Sequence, residues 1–189
     1  MKTIVAINGS PHKSGNTATL LKEILNECAS LGAKTEIIHA QTVVQSAKTP
    51  FCVACSSPCN QSCYIGTPLE EALNKLSSSD GVVLGSPVYF GTASAQIKAF
   101  FDKTRHIRAK GSLIDKKCGA ISSGASRFGG QETTLKALHD IALVQGMSVI
   151  GDGYEGFDAG HHGVCGHGST QNDESLKQRA KILAARLMK

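Results

Sequence analysis

The chain is 189 residues long, which suffices for one domain with its own hydrophobic core and makes a second domain unnecessary. Hydrophobic residues make up 41% of it and charged residues 19%, values typical of a globular protein rather than a disordered one. The net charge of +5, without Trp or a long Lys/Arg run, argues against a nucleic-acid partner and suits a small anionic ligand.

The apolar run near the amino end, TIVAI at residues 3–7, is too short for a secretion signal or a membrane-spanning helix. We therefore expect a cytoplasmic protein with no membrane partner. A reducing compartment disfavours disulfides, so the seven cysteines are expected to be thiols, metal ligands or redox groups.

Short apolar runs alternate with helical patterns along the chain. Strands are predicted over residues 2–8, 35–40, 81–86, 118–123 and 147–151. Helices are predicted over residues 15–31, 69–77, 91–107, 131–145 and 174–189. A Cys-rich stretch at 41–66 and a Gly/His-rich stretch at 152–173 follow neither pattern; we interpret the second as a lid near a ligand.

This alternation predicts one α/β domain over residues 1–189: a doubly wound, five-stranded parallel sheet in the order 2-1-3-4-5, covered by helices on both faces in three layers. Such sheets bind ligands beyond the carboxyl ends of their strands, where the strand order reverses. The segments after the first, third and fourth strands are therefore the candidate binding loops.

The first of these segments, NGSPHKSGNT at residues 8–17, leads small and hydroxyl residues into a helix N-terminus, an arrangement that favours a phosphate. It matches neither the P-loop nor the dinucleotide fingerprint, so a mononucleotide is the expected ligand. The alternative is an ordinary turn capped by Asn16 or Thr17.

The other two segments contain features suited to a flat, polar ring. In GSPVYFGT, residues 85–92, Val88, Tyr89 and Phe90 are too apolar for a plain exposed loop; the alternative is a loop folded onto its own core. SSGASRFGGQET, residues 122–133, offers backbone N–H donors and the guanidinium of Arg127, with a flexible surface turn as the alternative.

Taken together, GSPHKSGNT (9–17), GSPVYFGTASAQIKAFFDKT (85–104) and SRFGGQETTL (126–135) resemble the NADPH-dependent FMN reductase and iron-sulfur flavoprotein family, which is flavodoxin-like. The resemblance implies an FMN cofactor. Its phosphate would be bound by Ser10, His12, Ser14, Asn16 and Thr17. Its isoalloxazine would be lined by Pro87, Val88, Tyr89, Phe90 and Gly91. The pocket would be completed by Ser123, Gly124, Ser126 and Arg127. No catalytic side chain is expected, because the flavin itself carries the chemistry.

The Cys-rich stretch contains FCVACSSPCNQSC at residues 51–63. In iron-sulfur flavoproteins a cysteine group between the second and third strands binds a 4Fe-4S cluster, which implies Cys52, Cys55, Cys59 and Cys63 as its ligands. Their spacing has one residue more between the second and third cysteines than the usual family pattern. Zinc and free thiols therefore stay open as alternatives.

The resemblance implies an oxidoreductase in which FMN accepts electrons from NAD(P)H as co-substrate and passes them to a small-molecule acceptor such as a quinone or free flavin, with the cluster as one route. It also implies a homodimer or homotetramer. Two alternatives remain: a non-enzymatic electron carrier reduced by ferredoxin, and a flavodoxin-like binding module with a structural zinc.

Overall fold

A parallel sheet forms the centre of the computed structural model, which describes residues 1–156, 158–170 and 173–189. Its strands are β1 (Thr3–Asn8), β2 (Lys34–His39), β3 (Gly81–Pro87), β4 (Lys117–Gly124), β5 (Ser148–Val149) and β6 (Val164–His167). The path β2-β1-β3-β4-β5 confirms the predicted strand order, and every pairing is parallel.

The edge beyond β4 is formed by two short strands in place of one. β5 pairs with the start of β4 and β6 pairs with its end, from Ile121 to Gly124. The strand predicted over 147–151 is present as the shorter β5, whereas the prediction of irregular chain over 152–173 missed β6. In Val-Cys-Gly-His, one strongly apolar residue between glycine-rich flanks gives too weak a pattern to predict a strand.

The segment between β5 and β6 is fastened to the last helix, α7 (Glu174–Met188), by ion pairs. The guanidinium of Arg179 lies 2.8 Å from the buried carboxylate of Asp152 and 2.9 Å from that of Asp158. Asp152 also accepts a 2.6 Å hydrogen bond from the amide of His161. These contacts hold Asp152, Asp158 and His161 close together, so that the chain after β5 returns to the sheet at β6.

Helices cover both faces of the sheet, as predicted. One face packs against α1 (Asn16–Ser30) and α7. The other packs against α2 (Ala40–Gln45), α3 (Pro68–Ser78), α4 (Ala95–Asp102), α5 (Arg105–Ala109) and α6 (Gln131–Val144). The central strands β1 and β3 are apolar over most of their length and buried on both faces, which is typical of parallel sheets, whereas the edge strand β2 is more polar and less buried.

The helix predicted over 91–107 is divided in the structure. Ser94 caps α4 by accepting a hydrogen bond from the amide of Ile97. At the other end the Thr104 hydroxyl donates to the carbonyl of Phe101 at 2.6 Å, and α5 begins at Arg105. A Thr hydroxyl bonded to a preceding carbonyl competes with helix continuation, which accounts for the break.

Residues 46–67, which the structure describes throughout, lie between α2 and α3 without helix or strand. Tyr64 anchors this segment in the core, where it is 2% exposed. Among the described residues, no helix combines the length and apolar character needed to cross a bilayer.

Candidate functional site

The N-terminus of α1 is open towards the carboxyl edge of the sheet. Gly15 is the N-cap residue, no side chain caps the helix, and its first turn contains no acidic residue. Asn16 and Thr17 therefore do not cap it as the alternative interpretation required. The first amides of a helix have no intrahelical acceptor, so they are available to an anion.

The preceding turn is held by Asn8, a buried residue that the sequence interpretation did not select. Its Oδ1 accepts from the amide of Ser10 at 3.0 Å, and its Nδ2 donates to the carbonyl of His12 at 3.1 Å. The same Nδ2 lies 3.0 Å from Nδ1 of His39, which must accept and hence be neutral there. Burial, followed by nearby Lys side chains, lowers the pKa of His39 and favours that neutral form.

Gly9 brings the first loop against the start of the second. Its amide donates to the carbonyl of Gly85 at 2.7 Å, and its carbonyl accepts from the Ser94 hydroxyl at 2.6 Å. A Cβ atom at Gly9 would lie 2.8 Å from the Gly85 carbonyl oxygen and 2.8 Å from Cβ of Ile97. Only glycine allows this approach, which fixes the separation of the two loops.

The second loop is a tight turn with an exposed tip. Tyr89 and Thr92 exchange backbone hydrogen bonds of 3.0 and 3.2 Å, and Phe90 and Gly91 adopt positive φ angles of 51° and 76° at the tip. The side chain of Phe90 is fully exposed and that of Tyr89 is exposed as well. The alternative of a loop folded onto its own core does not describe these two rings.

The third loop is held by Gln131, the first residue of α6. Its Nε2 donates to the carbonyl of Ser126 at 2.6 Å, and its Oε1 accepts from the amide of Gly129 at 2.9 Å. Thr133 donates to the carbonyl of Gly91 at 2.7 Å and so joins the third loop to the second. Arg127 remains at the surface, with its guanidinium carbon 5.6 Å from the ring centre of Phe128.

The first and third loops are joined directly. The hydroxyls of Thr17 and Ser123 lie 2.7 Å apart and are buried. Between the same loops, Gly168 accepts from Asn16 Nδ2 at 2.6 Å and donates to the carbonyl of Gly124 at 3.0 Å. The residue after β6 therefore lies between the first and third loops, and the interpretation of the Gly/His-rich stretch as a lid near a ligand stays a prediction.

All fourteen predicted FMN residues thus lie in three linked loops, or at the ends of the strands and helix next to them, at one edge of the sheet, while the contact of each with FMN stays a prediction. Sequence interpretation missed the residues that hold the loops: Asn8, Gly9, Ser94, Gln131, Thr133 and Gly168. Asn8 had a usable signal, since it is a polar residue directly at the end of an apolar strand. The others are recognised only through partners distant in sequence.

The four cysteines at 52, 55, 59 and 63 line one small cavity, together with Tyr64 and Lys103. All four are free thiols. Within the described residues, no three His, Cys, Asp or Glu side chains are gathered closely enough to hold a metal ion. The donors fit a thiolate-bound centre in number, kind and shared cavity, and binding one would require the side chains to converge.

Tyr64 also lines that cavity, and its buried hydroxyl has no hydrogen-bond partner among the described residues. Burial raises the pKa of this phenol, and negative charge on Cys59 and Cys63 raises it further. Tyr64 therefore remains a neutral donor next to the thiols.

Comparison with known proteins adds the family. The profile described as NADPH-dependent FMN reductase matches residues 2–162. An iron-sulfur flavoprotein of Methanocaldococcus jannaschii is 39% identical over 90% of this chain and 85% of its own length. A protein named NAD(P)H dehydrogenase (quinone) from Chromohalobacter salexigens is 46% identical over a shorter stretch, 42% of this chain and 39% of its own.

Among solved structures, a WrbA-like flavodoxin from Agrobacterium tumefaciens superimposes with a TM-score of 0.69 at 19% identity, over 99% of this chain and 95% of that one. This similarity shows the flavodoxin-like fold, in agreement with the strand order. On the sequence match across most of its length, the chain belongs to the NADPH-dependent FMN reductase family of flavoprotein oxidoreductases.

Proposed function

We propose that the protein uses FMN to move electrons from NAD(P)H to a small acceptor such as a quinone or free flavin, with a 4Fe-4S cluster at the cysteine cavity as a second redox centre. The observation that carries the proposal is the uncapped N-terminus of α1, which opens between two loops linked to it by short hydrogen bonds. Membership of the NADPH-dependent FMN reductase family supports the FMN cofactor, and the relative named NAD(P)H dehydrogenase (quinone) supports the acceptor.

The residues fit FMN in the following way. The free amides of α1, with Ser10 and Thr17, would bind the phosphate, since a helix N-terminus supplies both donors and a favourable dipole. The turn at 88–91 and the loop at 123–127 would lie on either side of the ring. Bound FMN would carry out the transfer of hydride and electrons. The chain's backbone N–H groups and Arg127 would stabilise negative charge on the reduced ring.

The cluster proposal rests on the cavity and on a relative. Four free thiols line one cavity in the segment between β2 and β3. The Methanocaldococcus jannaschii relative, aligned over most of both chains, is named an iron-sulfur flavoprotein. Cubane clusters need four thiolates converging on one core, and four cysteines within a short loop meet that need.

An absorption spectrum after anaerobic purification, with iron, sulfide and FMN assays, tests both centres. We expect one FMN per chain and a broad iron-sulfur absorption, which Cys55→Ala abolishes while FMN is retained. Cys28→Ala is the matched control, because Cys28 is a free thiol near the C-terminal end of α1, away from both the cysteine loop and the candidate FMN site, and should leave both signals unchanged. A Cys55→Ala protein with the spectrum of the parent would contradict the cluster.

Turnover with NADPH and a quinone tests the enzyme activity. A flavin that is reduced only by ferredoxin or dithionite would instead identify an electron carrier. A colourless protein with stoichiometric zinc would exclude both redox functions and leave the binding module.

We further propose a homodimer or homotetramer. Phe90 and Phe128 are large apolar side chains that are almost fully exposed next to the candidate site, which supports an interface there. Light scattering after gel filtration measures the assembly, and a strictly monomeric protein would contradict this proposal.

A further inference from the structure

Lys103 is a buried lysine whose ammonium group is directed at the cysteine loop. The residue is 2% exposed and lies just after α4. Its Nζ donates to the carbonyl of Thr49 at 2.5 Å, to that of Phe51 at 3.4 Å, and to the Sγ atom of Cys63 at 3.4 Å. The ammonium group of Lys103 therefore lies at the wall of the cavity that the four cysteines line.

The acceptors of this ammonium group are the Thr49 and Phe51 carbonyls, the Thr49 hydroxyl and the Cys63 sulfur, and none of them is a carboxylate. None of the ion pairs in the described part of the chain includes Lys103, and the adjacent Asp102 is paired with Lys98 at 2.6 Å. Burying a positive charge without an anion is costly, and such charges are normally paired or bound to a ligand of opposite sign. Asp102 also lines the cavity but is paired with Lys98, so negative charge close to Cys63 would supply the missing counter-charge of Lys103.

Tyr64 provides a second, independent sign of the same requirement. Its hydroxyl is buried at the cavity and has no partner among the described residues, although a buried O–H group nearly always donates. A sulfur carrying negative charge would accept this hydrogen bond. Lys103 and Arg105 both line the cavity, so it offers positive charge, one free donor, and four thiols that become anionic when they bind a metal centre.

We propose that Lys103 and Tyr64 are positioning residues that hold an anionic, thiolate-bound metal centre at the four cysteines and make its reduction easier. The inference rests on the proposed cysteine centre and goes further, because it assigns its counter-charge. A centre bound by these thiolates would gain one negative charge on accepting one electron. A buried ammonium group and an O–H donor stabilise that added charge, so they raise the reduction potential.

The test compares Lys103→Met, which keeps the length of the side chain and removes its charge, with Tyr64→Phe, which removes only a hydroxyl. Lys110→Met is the control, because Lys110 is exposed and changes the net charge equally. Each protein is reconstituted with iron and sulfide. Dithionite then supplies electrons in a redox titration, and a chelator measures release of the metal.

We expect a lower midpoint potential in both cavity variants, with Lys103→Met the larger change, and parent values in Lys110→Met. Loss of a charged hydrogen bond should accelerate metal release from Lys103→Met about tenfold or more. If Lys103→Met does not fold, the midpoint potential of the Tyr64→Phe protein decides whether the proposal holds. If the cysteines bind zinc in place of an iron-sulfur cluster, the rates of zinc release from the variants test the role of Lys103 and Tyr64 in the same way.

The outcomes separate the two levels of the proposal. A parent protein that holds a centre at the cysteines, with variants of unchanged potential and release rate, would overturn the role of Lys103 and Tyr64 and leave the centre in place. A parent protein that binds neither iron-sulfur nor zinc at these thiols would overturn both. A fall in potential confined to the two cavity variants would support both.

Discussion

The close approach at Gly9 makes Gly9→Ala an informative substitution. The added methyl carbon would lie 2.8 Å from a backbone oxygen on β3 and 2.8 Å from Ile97 on α4, and neither can rotate away as a flexible side chain could. Relief requires β1 and β3 to separate locally, which weakens the 2.7 Å hydrogen bond from Gly9 to Gly85. Overpacking of this kind costs about 1–3 kcal/mol, or about 2–12 °C in Tm for a chain of this length.

Urea denaturation of the FMN-free protein measures the stability, and fluorescence titration with FMN measures binding. We expect Gly9→Ala to lower both, because the displaced loop precedes the open end of α1. Gly15→Ala is the control in the same loop: its Cβ would meet its nearest neighbour, Cβ of His12, at an ordinary 3.4 Å. A Gly9→Ala protein as stable as Gly15→Ala would refute the steric argument.

Three further substitutions test the site and its surroundings. Thr17→Val and Ser123→Ala should be coupled in a double-mutant cycle by about 0.5–1.5 kcal/mol of unfolding free energy, because their hydroxyls share one buried 2.7 Å hydrogen bond; additive effects would contradict this. For His139, burial lowers the pKa below 6.5, so the unfolded chain takes up a proton before the folded one does. Its contribution to stability therefore falls as the pH decreases below about 6.5, and His139→Gln should reduce that loss in urea titrations at pH 7.5 and 5.5.

Most of the fold could be predicted because a parallel sheet buried on both faces requires continuous apolar strands. Runs such as TIVAI and GVVLG show this directly, and glycine or polar residues end each of them. The edge strand β6 could not be predicted in this way. It is only four residues long, and it pairs with β4 because the Asp152 and Arg179 contacts return the chain to the sheet. Tertiary contacts decide such a strand, and local sequence does not display them.

The candidate site likewise contains residues that the sequence predicted and residues that it did not. Residues predicted to face a ligand lie in loops recognisable from their composition, as in the stretch from Ser10 to Thr17. Residues that hold those loops act across long separations in sequence: Ser94 reaches Gly9, and Thr133 reaches Gly91. Lys103 was hidden for another reason, since a lysine in an amphipathic helical pattern is normally at the surface.

The helix α4 connects the two candidate centres and sets their spacing. At its start Ser94 is hydrogen-bonded to Gly9, beside the loops predicted to bind FMN. Just past its end Lys103 reaches the cysteine cavity. At 1.5 Å per residue, the eight residues of α4 separate these points by about 12 Å along the helix. Lys103 is the C-cap residue of α4 and precedes the break at Thr104. One short helix is therefore fixed by Ser94 to the loops predicted to bind FMN and ends with a positive charge beside the thiols.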